Sequence, residues 1–95
     1  LEALALRRDL EDLSALATSL DNLGLLAQMG QDHAEARKLH GEALTLRREL
    51  DERSGIAASL SNLSLVAHDE RAYVEACRLQ EEALAIRREL HDLWG

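Results

Sequence analysis

Along this chain the apolar positions fall at three- and four-residue steps in two kinds of stretch, and both kinds recur. Leu16, Leu20, Leu23 and Ala27 mark one stretch, and Ala36, Leu39, Ala43, Leu44 and Leu46 mark the next. Leu60, Leu63 and Ala67, followed by Ala76, Leu79, Ala83, Leu84 and Ile86, repeat the two in order. Such spacing places the apolar side chains on one face of a helix, predicted to be buried. Ser14 stands where an N-cap belongs, and Gly30 where a helix stops. Asp32, with Glu35 three residues on, has the form of a capping box opening a second helix, which runs to about Leu50. The second pair starts at Ser54 and follows the same course.

The pairs are copies. Aligning 14–51 on 54–91 without a gap gives 18 identities in 38 positions, a period of 40. Glu42-Ala43-Leu44-Thr45-Leu46-Arg47-Arg48 has counterparts beginning at Glu2 and Glu82. A fixed period of this size means one supersecondary unit stacked on copies of itself, each burying its apolar face against its neighbours. The expected fold is an all-α, right-handed superhelical solenoid of antiparallel helix pairs, about five helices in one domain, 1–95. Residues 1–13 read as the end of a preceding repeat, 14–53 and 54–93 as two full repeats, and 94–95 as a stub. The sequence thus reads as a fragment of an array. The turn Asp69-Glu70-Arg71-Ala72 lacks the glycine and capping acid of the first repeat. It is expected to be less well defined, or capped by Asp69, an effect of about 1 kcal/mol.

Composition narrows the function. With no Pro, 2% aromatic, 46% hydrophobic and 31% charged residues, the balance is helical. The net charge of −7, from 11 basic and 18 acidic residues, opposes a nucleic-acid partner, whose phosphates reward a basic stripe. It suits protein ligands that are neutral to basic. No uncharged stretch reaches the roughly 20 apolar residues that a membrane helix needs, and no signal peptide is visible. The single Cys77 excludes an internal disulfide and fits a reducing, cytoplasmic setting.

Chemistry is sparse. No phosphate-binding loop, paired catalytic acids or Ser-His-Asp constellation stands out, so no enzyme and no cofactor is expected. His33, His40, His68 and His91 lack a second ligand at three or four residues, and no metal site is expected. Cys77 reads as a small filler on a helix, and Trp94, aligned with Ser54, as a packing residue. The Arg-Arg pairs at 7–8, 47–48 and 87–88 read as surface pairs, Arg47 reaching Asp51 and Arg48 reaching Glu52, rather than as an anion-binding strip.

These residues resemble the tetratricopeptide repeat family in its 40-residue form. Asn22-Leu23-Gly24-Leu25-Leu26-Ala27 and Asn62-Leu63-Ser64-Leu65-Val66-Ala67 match the first helix of that family. Ala36, His40 and Ala43-Leu44, with Ala76, Gln80 and Ala83-Leu84, match the second. The ending Ala-Leu-x-Leu-Arg-Arg-Glu-Leu is similar to repeats of bacterial signalling ATPases, transcription regulators and kinesin light chain. Ser64 in place of glycine, Arg71 near the usual turn glycine, and His40 and Gln80 in a usually aromatic slot imply looser packing in the second repeat.

The resemblance implies a groove lined by the first helix of each pair: Thr18, Asp21, Asn22, Leu25, Gln28 and Met29, then Ala58, Ser61, Asn62, Leu65, His68 and Asp69. Asn22 and Asn62 match the asparagine that holds a peptide's main chain or carboxylate. The lysine and arginine clamp for acidic C-terminal peptides is missing, since Asp21, Leu25, Ala58, Ser61 and Leu65 stand there. The implied function is a non-catalytic protein-interaction scaffold, binding a peptide or helix in that groove within a larger regulatory protein. The alternative is a structural repeat that forms a homo-oligomer through uncapped ends. Leu4, Leu6, Leu10, Ile86 and Leu90 decide between them, according to whether one chain covers them.

Overall fold

The computed structural model describes the backbone of residues 2–94 and the side chains of residues 7–92. Among the described residues there are four helices and no strand: α1 Glu2–Met29, α2 His33–Glu49, α3 Arg53–Asp69 and α4 Tyr73–Trp94. Connections of three residues force successive helices to run antiparallel. The result is a thin slab, 49 × 34 × 16 Å, in which each helix packs on the next.

Helices cover both pairs of stretches that the periodicity marks, and the helix expected before them does not stand alone. α1 runs unbroken through Leu10–Ser14, so the segment predicted as the end of a preceding repeat is continuous with the first repeat's opening helix. The homologous sequence at Leu50–Ser54 turns. That turn holds Asp51 at φ 54°, a left-handed conformation costing about 1–2 kcal/mol for a residue with a Cβ. There α3 folds back on α2 and Leu44 packs against the core of Ile56, Ala57, Leu60, Ala83 and Ile86, offsetting the cost. Ser14 is therefore a mid-helix residue and not an N-cap. Its hydroxyl donates to Glu52 Oε2 at 2.7 Å, tying α1 to the α2–α3 turn.

All three turns share one geometry. Gln31, Asp51 and Arg71 take positive φ. Asp32, Glu52 and Ala72 donate their N–H to the carbonyls of Ala27, Arg47 and Ala67, while Gln31, Asp51 and Arg71 donate to Gln28, Arg48 and His68. These are the paired bonds of a Schellman motif. The expectation of a poorly defined turn in the second repeat fails for that reason: the motif is closed by backbone groups, and Gly30 sits one residue before the left-handed position. Asp32 does cap α2, accepting the N–H of Glu35 at 3.2 Å.

Cys77 is exposed, contrary to its reading as a filler. Leu4, Leu6 and Trp94 lie outside the described side chains. Ile86 and half-buried Leu90 join the core, whereas Leu10 is exposed. No helix among the described residues is long and apolar enough to cross a membrane.

Candidate interaction groove

α1 and α3 lie side by side, joined by a bond from Ser59 Oγ to Asp21 Oδ2 at 2.9 Å. Three- and four-residue steps bring Thr18, Asn22, Leu25 and Met29 to one side of α1, and Ala58, Asn62, Leu65 and Asp69 to the same side of α3. Leu25, Leu65 and Met29 are exposed, Met29 by 81%. Asn22 is exposed and Asn62 half-buried, and neither amide is taken up by a hydrogen bond among the described residues. The far end of this surface is a polar hollow of about 360 Å³ where Gln28 and Met29 of α1 meet Asp69 of α3. Gln31 and His33 complete it. Neither stands at a groove register in the repeat; the turn between α1 and α2 carries them there.

Asp21 does not belong to the groove. It is 6% exposed and faces inward. His40 Nδ1 donates to its Oδ1 at 2.8 Å, Ser59 to its Oδ2, and the Arg47 guanidinium stands 3.3 Å from Oδ2. Burial is the largest single influence on its pKa and pushes it up, but the bonds from His40 and Ser59 and the charge of Arg47 together hold the carboxyl below its ordinary pKa. The other ring nitrogen of His40 lies 2.7 Å from Gln28 Oε1, so Gln28 is partly engaged inside as well. The ring stacks over Gly24, where a Cβ would come within 2.7 Å of it. Asp21 and Gln28 of α1, His40 and Arg47 of α2 and Ser59 of α3 thus form one polar cluster between three helices.

The cluster explains where the arginines go. Arg47 reaches Asp21 and Thr18, and Arg48 reaches Glu82 of α4 at 3.0 Å. Neither pairs with Asp51 or Glu52, because those residues lie in the turn, off the helical four-residue spacing. Arg37 binds Glu70 at 2.7 Å and also Glu75, joining α2 to the second pair.

The second repeat builds no such cluster. Ser61, Ser64 and Gln80 stand in the places of Asp21, Gly24 and His40. Ser64 is accommodated because Gln80 is exposed, and its hydroxyl donates to the Ala76 carbonyl at 2.9 Å. Ser61 is half-buried, with its hydroxyl unpartnered. His68, exposed, meets the edge of Tyr73 with ring centres 5.3 Å apart. His33, His40, His68 and His91 are dispersed, and no group of three metal-ligating side chains forms among the described residues.

The family model described as tetratricopeptide repeat matches residues 16–50 and 56–92. No curated protein matches the chain.

Proposed function

The chain belongs to the tetratricopeptide repeat family, and from that premise we propose that it is a non-enzymatic module that binds a peptide or helix along α1 and α3. The observation that carries this reading is the exposure of Leu25, Leu65 and Met29 beside the amides of Asn22 and Asn62. The leucines and Met29 supply apolar contact, and each amide offers both donor and acceptor to an extended main chain. Thr18, His68 and Asp69 flank this strip, whereas Ser61, in the place of Asp21, has its hydroxyl buried. Asp69 and the net charge of −7 favour neutral or basic ligands over acidic ones and over nucleic acid. A regulatory parent protein and a reducing, cytoplasmic setting suit such a module.

Labelled extended peptides of equal length, in basic, neutral and acidic versions, test this by fluorescence anisotropy. Basic and neutral members should bind. Leu25→Asp should abolish binding, and Asn62→Ala should weaken it about fivefold, the loss of one hydrogen bond of about 1 kcal/mol. Equal binding of acidic members, or indifference to Leu25→Asp, would sink the reading. A second reading, association of copies through the ends of the array, is favoured by the bare aliphatic face of α1.

A further inference from the structure

One face of α1 has no neighbour among the described residues. Leu16, Leu23 and Leu26 are exposed, with Leu26 62% open, and Leu20 and Ala27 are half-buried. Forty residues on, Ile56, Leu63, Val66, Leu60 and Ala67 occupy the same five places in α3 and all are buried, Val66 completely. Residue type does not separate the two sets, since all ten are aliphatic. The difference is that α3 packs on a helix before it, and α1 has none among the described residues.

The other end of the slab carries a surface of the complementary kind. Ser64, Leu65, Ala76, Cys77 and Gln80 line a mostly apolar hollow of about 360 Å³. One repeat earlier these places are Gly24, Leu25, Ala36, Arg37 and His40. Arg37 there binds Glu70 at the end of α3, and Asp21 accepts from Ser59. In the second pair the place of Asp21 is held by Ser61, whose buried hydroxyl has no partner among the described residues. The α1 residue in the place of Ser59 is Ser19, which is exposed. The ion pair Arg48–Glu82 that links the two pairs likewise has counterparts in Arg88 and Glu42. Both are exposed, and neither is ion-paired among the described residues.

We infer that a second copy of this chain docks its Leu16–Leu23–Leu26 face into the α3–α4 hollow of the first, continuing the 40-residue register across the junction. In that register Ser19 of one copy meets Ser61 of the other, and Glu42 meets Arg88. The two surfaces differ, so the contact is heterologous and each added copy leaves a fresh end for the next. This inference rests on the second reading above and gives it a geometry.

Light scattering on a size-exclusion column, run on the intact chain over a hundredfold concentration range, tests it. The mass should climb from 10.6 kDa without levelling at a dimer. Leu26→Glu and Cys77→Glu each alter an exposed side chain, and far-UV circular dichroism confirms that each remains folded. Each alone should stay monomeric at every concentration. Mixed in equal amounts they should form a dimer that grows no further, because each keeps one working face. Arg88→Glu should weaken association several-fold, and adding Glu42→Arg to the same chain should restore it. A plateau at a dimer that Leu26→Glu abolishes and Cys77→Glu leaves intact would mean symmetric pairing of α1 faces. That result overturns this register and keeps self-association. A constant 10.6 kDa throughout overturns both.

Discussion

Replacing Gly24 by alanine should destabilise this protein, although alanine is the better helix former by about 1 kcal/mol. The added Cβ would stand 2.7 Å from Cε1 and Nε2 of His40 and 2.9 Å from Nδ1. Ordinary carbon contact is about 3.5–4.0 Å, so the ring must retreat by roughly 1 Å. It has nowhere to go: His40 is completely buried and is held 2.8 Å from Asp21 and 2.7 Å from Gln28. Overfilling a packed site costs about 1–3 kcal/mol. Stretching a bond to a buried carboxylate adds part of the ~1.5–3 kcal/mol that such a bond contributes. After the gain in helix propensity the net loss should be about 2 kcal/mol. In a His40→Gln background the obstruction disappears, as it already has where Ser64 faces Gln80, and Gly24→Ala should then stabilise by about 0.5–1 kcal/mol. The coupling of nearly 3 kcal/mol is large for neighbouring residues and well within measurement. Urea unfolding followed by far-UV circular dichroism reads all four proteins, provided the denaturant slope stays constant. Stabilisation by Gly24→Ala in the parent protein, or the same effect in both backgrounds, would refute the account of His40 as a fixed wall.

Further expectations follow from the same cluster and from the turns. Asp21→Ala leaves His40, Ser59 and Arg47 without their common acceptor and should cost about 3 kcal/mol, a drop in Tm of roughly 10–20 °C; a change of only a few degrees would show the cluster to be dispensable. Because Asp21 is more acidic folded than unfolded, its stabilisation is complete above the ordinary carboxylate pKa and is lost as pH falls through its depressed folded value. Asp21→Asn should accordingly flatten the acid limb of Tm against pH, and an unchanged limb would contradict this. Arg71→Gly, at φ 65°, should raise stability by about 1 kcal/mol through relief of left-handed strain, with Tm as the readout. Arg37→Ala breaks a pair that is more than a third exposed and should cost less than about 1 kcal/mol, an amount that high salt should shrink further.

Much of this molecule was legible before any coordinates. The period of 40, the two helix pairs, the stop at Gly30 and the cap at Asp32 are local matters, decided by side-chain spacing and by which residues tolerate a turn. Leu25, Leu65 and Met29, which the family resemblance assigns to a groove, are exposed. Other assignments depended on what lies across the fold. Leu16 and Ile56 sit at equivalent places in equivalent helices, yet only Ile56 is buried, because burial depends on the presence of a covering helix. α1 runs straight through Leu10–Ser14, whose counterpart forty residues on turns at Asp51. Asp21 read as a groove acid, and it became the centre of a buried cluster only because His40 and Ser59, 19 and 38 residues away, converge on it. Arg47 and Arg48 chose partners on other helices over the nearby Asp51 and Glu52. Periodicity determined which elements form and which face of each is apolar. Only the tertiary structure decided which of those faces is covered and which charges meet, since both are set by contacts between helices rather than by spacing within one.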